Sequence, residues 1–265
     1  MGASGCVHPV DREAILELSR KGVATTIITG RLFSGTRDIA IEIGALGAIG
    51  CVDGCHLVDV GSGRDHQRGG LSGPSALRLR EIIARLGPMS FVFTRDEILY
   101  EERGAAHLAY VRTWSRDLVA TTTVTEHGSW SDPRGIMALV SLDTEQLIGR
   151  VRAEIERSLP DSAFVTVFPF RRGLAETTWG MIVRASGYSK GTALTWLARH
   201  YGTTLDEVIA VGDWFNDVPM FEVAGRSFAM AHAPEMVKQA ATDRLTADVQ
   251  TGGGIAEAAV RAGLL

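Results

Sequence analysis

The residues best suited to chemistry fall in one stretch, Val208 to Met220, which reads VIAVGDWFNDVPM. Its run Val208, Ile209, Ala210, Val211 is continuously apolar, the pattern of a strand buried on both faces. Gly212 lets the backbone turn. Asp213 then stands at the strand's carboxyl end, the edge at which open α/β sheets bind ligands. Asn216 and Asp217 follow within one turn, at the start of a helix expected to run toward Ala224. Three oxygen-bearing side chains converging on a strand end suit a hard cation such as Mg²⁺ and the phosphate it neutralises. Taken singly, Asp213 ends a strand and Asn216 or Asp217 caps a helix. The full Gly-Asp-x-x-Asn-Asp pattern after an apolar strand is what points to function.

Two other pieces carry compatible chemistry. Thr29-Gly30-Arg31 follows the β-branched run Val23 to Ile28 and brings a hydroxyl, a permissive glycine and a guanidinium to a strand end. Together these can bind a phosphoryl oxygen. Lys190 lies in the first turn of a helix predicted over Lys190–His200, with Ser189 as its N-cap. A lysine there opposes the helix dipole, and such a local misfit points to a task such as holding an anion.

Several elements must position these groups. Ala14, Ile15 and Leu18 recur at helical spacing between Pro9 and Lys21, and Gly22 stops that helix. Val23 to Ile28 reads as a strand, Gly35–Leu46 as a helix and Ala48–Val52 as a short strand. The segment Cys51-Val52-Asp53-Gly54-Cys55 leads into His56–Val60 and the turn Gly61 to Gly63, a hairpin pattern. Ser72-Gly73-Pro74 marks a break in composition. Beyond it come an amphipathic helix at Ala76–Leu86, strands near Met89–Thr94, Thr121–Glu126, Gly135–Leu142 and Phe164–Phe168, and a helix at Thr144–Ser158. After Thr178 the pattern returns to the first kind, with a strand at Met181–Val183 and the helix at Lys190. Strand Val208–Val211, helix Asn216–Ala224, strand Ser227–Ala231 and helices Pro234–Ala241 and Ile255–Ala262 follow. Alternation of this sort predicts a doubly wound parallel sheet in an α/β core of residues 1–70 and 185–265, with an inserted α+β domain at 71–184.

Composition limits the partners. The 265 residues carry a net charge of -4, with 45% hydrophobic and 22% charged residues and a pI near 6.0. That balance argues against a nucleic acid or an anionic membrane. The basic pair Arg171-Arg172 reads as solvated surface or a phosphate-contacting loop. Three cysteines, Cys6, Cys51 and Cys55, build no even disulfide framework and suit a reducing cytosol. No second Cys/His pair completes a zinc site with Cys51 and Cys55, so these read as small buried residues. No apolar run reaches the length of a membrane span. The start MGASGCVHP fits neither a myristoylation nor a secretory pattern, so the cytoplasm is expected.

In order, IITGR at Ile27–Arg31, SKGTAL at Ser189–Leu194, GDWFNDVPMF at Gly212–Phe221 and the tail AMAHAPEMVKQAA resemble the haloacid dehalogenase superfamily, specifically its Cof-type sugar-phosphatase branch. The resemblance covers nearly the whole chain. It implies a Mg²⁺-dependent phosphomonoester hydrolase with a Rossmann-like core and an α+β cap. By that resemblance Thr29, with Gly30 and Arg31, holds the phosphoryl group and Lys190 stabilises its charge. Asp213 binds Mg²⁺, while Asn216 and Asp217 support the metal and Lys190. Such electrostatic clamping is the main catalytic term in phosphoryl transfer.

The sequence departs from the resemblance at one point. The family's first motif, an apolar strand ending in Asp-x-Asp-Gly-Thr, supplies a nucleophile and a general acid/base, and no such motif precedes Pro9. Cys51-Val52-Asp53-Gly54-Cys55 comes after Thr29 and lacks the first carboxylate, and Asp143-Thr144-Glu145 falls in the inserted domain. The expectation is therefore that Met1 is an internal methionine or that the chain is truncated, and that this polypeptide hydrolyses esters poorly. The rival expectation is a phosphate- or partner-binding protein that dispensed with the nucleophile; a phosphomutase is a weaker third. The missing strand belongs between Val23–Ile28 and Val208–Val211, where unpaired backbone groups cost about 1–3 kcal/mol each. Those strands are expected to close on each other, to receive another segment, or to leave the fold marginal. Trp114, Arg112 and Arg171 are candidates to reach a leaving group from the inserted domain.

Overall fold

A computed structural model describes residues 7–170 and 178–265. The chain forms two compact units. One comprises Met1–Gly30, Thr36–Gln67 and Ser189–Leu265; the other comprises Arg31–Gly35 and Arg68–Tyr188. The second unit thus takes in residues 31–35, 68–70 and 185–188, which the sequence assigns to the core. Residues 31–35 join it because the Leu32 N–H donates to the Trp114 carbonyl at 2.9 Å, a long-range bond that no local pattern announces.

In the first unit the helix Pro9–Arg20 buries Ala14, Ile15 and Leu18, and it packs against the helix Gly254–Arg261. Asp11 ties the two together. Its carboxylate accepts from the backbone N–H groups of Gly253, Ile255 and Ala256 at 2.9, 2.7 and 3.2 Å, closing the start of the second helix. Strand Ala48–Cys51 pairs antiparallel with His56–Asp59, and Asp65–Arg68 extends that sheet. Strand Ile209–Gly212 pairs parallel with Arg226–Ala229, which pairs parallel with Asp243–Arg244. The α/β fold is present, but its sheet is in two halves and only the second is parallel throughout.

The cause lies at Val23–Ile28. Expected as a regular strand, it makes a single parallel bridge, Ile28 to Gly50. That bridge rests on Gly50 N–H to the Ile27 carbonyl and Thr29 N–H to the Gly50 carbonyl, both at 2.8 Å. Among the described residues nothing pairs with its other edge, nor with the outer edge of Ile209–Gly212. A cavity of about 470 Å³ lies between them, lined by Val23 to Thr26, Ile28 and Val208 to Val211. The strands have not closed on each other and no described segment fills the slot.

The second unit holds a six-stranded sheet in the order Leu118–Ala120, Ile98–Tyr100, Met89–Phe93, Ala138–Asp143, Thr178–Ala185, Ala163–Phe170. Helices Gly73–Leu86 and Glu145–Ser158 pack against each other, and their Leu79, Ile82, Ile148 and Val151 join Val92, Leu139 and Met181 of the sheet in one core. Two expectations are corrected here. Met181–Val183 belongs to a long strand of this sheet, paired on both sides, and not to the first unit. Thr121–Glu126 is no strand: the strand ends at Ala120 and a 3₁₀ turn covers Val124–Glu126. Side chains have taken its backbone groups, since Glu101 accepts from the Val124 N–H at 3.0 Å and the buried Trp130 indole donates to the Val124 carbonyl at 2.8 Å. Among the described residues no helix is long and apolar enough to cross a membrane.

Candidate functional site

The site is built on the helix Lys190–His200. Ser189 caps it reciprocally with Thr192: the Thr192 N–H donates to Ser189 Oγ at 3.2 Å, and the Ser189 N–H to Thr192 Oγ1 at 3.0 Å. This fixes Lys190, which is 8% exposed. Its Nζ donates to Asp217 Oδ1 at 2.5 Å. Asp217, buried in turn, accepts on Oδ2 from the backbone N–H groups of Asp213 and Trp214 at 2.7 and 2.9 Å. One carboxylate therefore neutralises a buried cation and folds the loop after the strand around itself. That wrapping also breaks the helix expected over Asn216–Ala224 into a 3₁₀ turn at Phe215–Asp217 and a single helical turn at Val218–Phe221.

Two glycines make the approach possible. A Cβ on Gly212 would stand 2.5 Å from Asp217 Cγ, and one on Gly191 would stand 2.2 Å from the Pro219 carbonyl oxygen. Both separations are far inside van der Waals contact, so neither position admits a side chain without moving the loop or the helix.

Thr29 and Asn216 are joined to this centre through Asp53. The Asp53 N–H donates to the Thr29 carbonyl at 2.8 Å, and Asn216 Nδ2 donates to Asp53 Oδ1 at 2.8 Å. Gly30 packs against the same carboxylate. Val52 and Asp53 both have positive φ, 48° and 51°. Aspartate tolerates that region, whereas a β-branched valine there is strained, a feature that clusters at functional sites. Arg31 belongs to the second unit, where burial lowers its guanidinium pKa from the ordinary value.

Asp213 points outward, its side chain 52% exposed, and its Oδ2 is 2.9 Å from His232 Nε2. His232 Nδ1 lies 3.2 Å from the Val249 N–H and accepts from it, which assigns the proton of a neutral ring to Nε2, facing Asp213. Asp53 and His232 are the two site residues that sequence reasoning missed. His232 stood within the quoted tail AMAHAPEMVKQAA without a role. Asp53 was weighed only within Cys51–Cys55, at the place of the family's second carboxylate, although Asp-Gly is a turn dipeptide at a strand end.

Among the described residues no group of three or more His, Cys, Asp or Glu side chains is arranged to hold a metal ion. Three donors already occupy Asp217, and of the two carboxylates expected at the metal Asp213 is the more exposed. Mg²⁺ keeps several of its waters and is commonly held by one or two carboxylates together with substrate phosphates, and this donor set suits that habit. Cys51 is no alternative nucleophile, because complete burial pushes its thiol up to about 12, against the small opposing effect of a hydrogen bond with Thr36. Trp114 packs on the Tyr110 and Phe93 rings at 4.6 and 5.6 Å within the second unit, where Arg112 is exposed. Cys6, Arg171 and Arg172 lie outside the described residues.

The model of the haloacid dehalogenase-like hydrolase family matches residues 3–258. A phosphoglycolate phosphatase of Nitrosopumilus maritimus is 35% identical over 85 residues, which are 32% of this chain and 36% of that protein, so the chain matches well under two thirds of that relative's length. A crystal structure of a haloacid dehalogenase-like hydrolase from Bacteroides thetaiotaomicron superposes with a TM-score of 0.76 at 23% identity, covering 96% of this chain and 92% of that one. A subclass IIB sugar phosphatase of the same superfamily gives 0.73 at 18% identity, with 98% and 93% covered. At these identities the structural likeness is one of fold.

Proposed function

The chain belongs to the haloacid dehalogenase-like hydrolases, and from that premise we propose that it is a Mg²⁺-dependent phosphatase of the cytoplasm acting on a small phosphorylated metabolite such as a sugar phosphate. The observation that carries this reading is the buried Lys190–Asp217 pair, held beside an outward-facing Asp213 at the carboxyl end of a strand. Lys190 supplies a fixed positive charge to a phosphoryl oxygen, and its own position is held by Asp217. Thr29 and Gly30 frame the other side through Asp53, and Asn216 keeps that carboxylate turned inward. Mg²⁺, held by Asp213, would supply neutralisation of the phosphate charge. The named activities of a phosphoglycolate phosphatase and a sugar phosphatase support a compact phosphate ester as substrate.

A second reading has its own support. Each carboxylate of the group is already engaged: Asp53 by Asn216, Asp217 by Lys190 and Asp213 by His232. None stands ready as a nucleophile. On that ground this 265-residue polypeptide turns esters over slowly, or binds phosphate without turnover. A panel of phosphate esters with and without Mg²⁺, run on the chain and on Asp213→Asn, decides between the readings. Metal-dependent release of phosphate that disappears in the variant supports the enzyme. Saturable phosphate binding that needs Lys190, with no release, supports the binding protein. Neither binding nor release removes both.

A further inference from the structure

We propose that His232 is the positioning residue of the metal-binding carboxylate: its Nε2–H holds Asp213 Oδ2, leaves Oδ1 to the metal, and keeps the ring itself from becoming a ligand. The inference rests on the phosphatase reading, in which Asp213 holds Mg²⁺.

Three parallel strands end side by side at this edge, and the chain beyond each supplies one member of the arrangement. Asp213 directly follows Ile209–Gly212. Past the second strand, Arg226–Ala229, the pairing continues, because the Met230 N–H donates to the Gly212 carbonyl at 3.0 Å. The Ala231 N–H then donates to the Ala247 carbonyl at 3.0 Å, beyond the third strand, Asp243–Arg244. His232 is thereby strung between Asp213 and Val249. Its Nε2 lies 2.9 Å from Asp213 Oδ2, and its Nδ1 accepts from the Val249 N–H at 3.2 Å.

The loop that offers the Val249 N–H is itself held. The Asp248 carboxylate accepts from the Gln250 and Thr251 N–H groups, each at 2.8 Å, and the Asp248 N–H donates to Thr251 Oγ1 at 3.0 Å. A Cβ on Gly252 would stand 2.2 Å from His8 Cγ, so the end of the loop is closely packed too.

A ring nitrogen that accepts a hydrogen bond carries no proton. With Nδ1 committed to Val249, the neutral ring keeps its proton on Nε2, where metal ligation would need a lone pair. Making His232 a ligand would therefore break the Val249 bond. The site stays one of oxygen donors, which suits Mg²⁺, whereas imidazole would favour Zn²⁺. On a half-exposed carboxylate such as Asp213, the bond from His232 selects one side-chain rotamer out of several. Partners of this kind, one step removed from the metal, change its affinity roughly 10–100-fold.

The test follows Mn²⁺, standing in for Mg²⁺, through the paramagnetic resonance of the free ion over the full chain, at about pH 8, above the ordinary histidine range. His232→Ala should weaken Mn²⁺ binding roughly 10–100-fold. His232→Gln, whose amide nitrogen can donate in place of the ring's Nε2, should recover most of it. Nitrogen-15 spectra of the parent should show Nε2 protonated and Nδ1 bare, with and without Mg²⁺. Unchanged binding in His232→Ala, or equal losses in the Ala and Gln variants, overturns the role of His232 and leaves the phosphatase reading standing. A proton on Nδ1 of the parent overturns it as well, and needs no variant to fold. If the parent binds no Mn²⁺, or binds it no better than Asp213→Asn does, the metal leaves Asp213 and both readings fall.

Discussion

Asp217 receives three donors at once, and its loss should be felt more widely than that of any other single site residue. Asp217→Ala leaves Lys190 buried without an anion and strips the acceptor from two loop amides. Breaking one member of a buried pair costs about 3–5 kcal/mol, read as a lower urea midpoint. Lys190→Met should cost less, because Asp217 keeps both amides, while phosphate binding is lost. A variant Lys190→Met that bound phosphate like the parent would remove the lysine from the site. At this scale the sequence was informative where chemistry follows spacing: Asp213, Asn216 and Asp217 are one turn apart, and Lys190 betrayed itself by sitting at the wrong end of a dipole. Arg31 falls in the second unit, because adjacency to Thr29 and Gly30 says nothing about which unit a residue joins. His232 was invisible for the converse reason: its link to Asp213 spans nineteen residues.

Elements depend on a few polar clamps. Asp11 serves as a cap for a helix whose N-cap residue, Gly253, lies 242 residues later. Asp11→Ala should destabilise the first unit by about 1 kcal/mol, within the usual range for a lost N-terminal acceptor, and should raise the exchange rate of the Ile255 and Ala256 amides. Asp243 is the second clamp. It accepts from Arg226 Nε at 2.8 Å and from Arg261 Nη2 at 2.9 Å, tying a strand to the last helix. The hydrogen bond from Arg226 holds its carboxyl below the usual aspartate value. A depressed folded-state pKa means stability that is fully present above the ordinary aspartate range and is lost as pH falls through the lowered value. Asp243→Asn should therefore lower stability at neutral pH and flatten the acid limb of a stability-against-pH curve; an unchanged acid limb would show that the pair contributes nothing. Helices with a clear apolar stripe, such as Pro9–Arg20 and Glu145–Ser158, were legible in the sequence to within a residue. Strands were harder, because pairing decides them. Thr121–Glu126 has the β-branched content but spends its backbone on Glu101 and Trp130, and Val23–Ile28 has the content but only one neighbour.

The two units differ in how their cores are joined. In the second, one continuous cluster runs from Leu71 through Val92 and Met181 to Ala185. In the first, a group around Leu194, Met220 and Phe221 and another around Phe228, Leu245 and Ala258 form separate clusters, with the 470 Å³ slot beside them. Two strand edges face that slot with no partner among the described residues. Backbone hydrogen bonds beside water open at low free energy. We expect unfolding in two steps, with the first unit yielding at lower denaturant. Tryptophan placement makes this measurable: Trp196 and Trp214 report on the first unit, and the fully buried Trp130 on the second. Variants that keep only Trp196 or only Trp130 should give separated urea transitions, with native-state exchange at Ile209–Gly212 governed by smaller openings than at Ala138–Leu142. Coincident transitions with equal midpoints would mean that the slot does not weaken its unit.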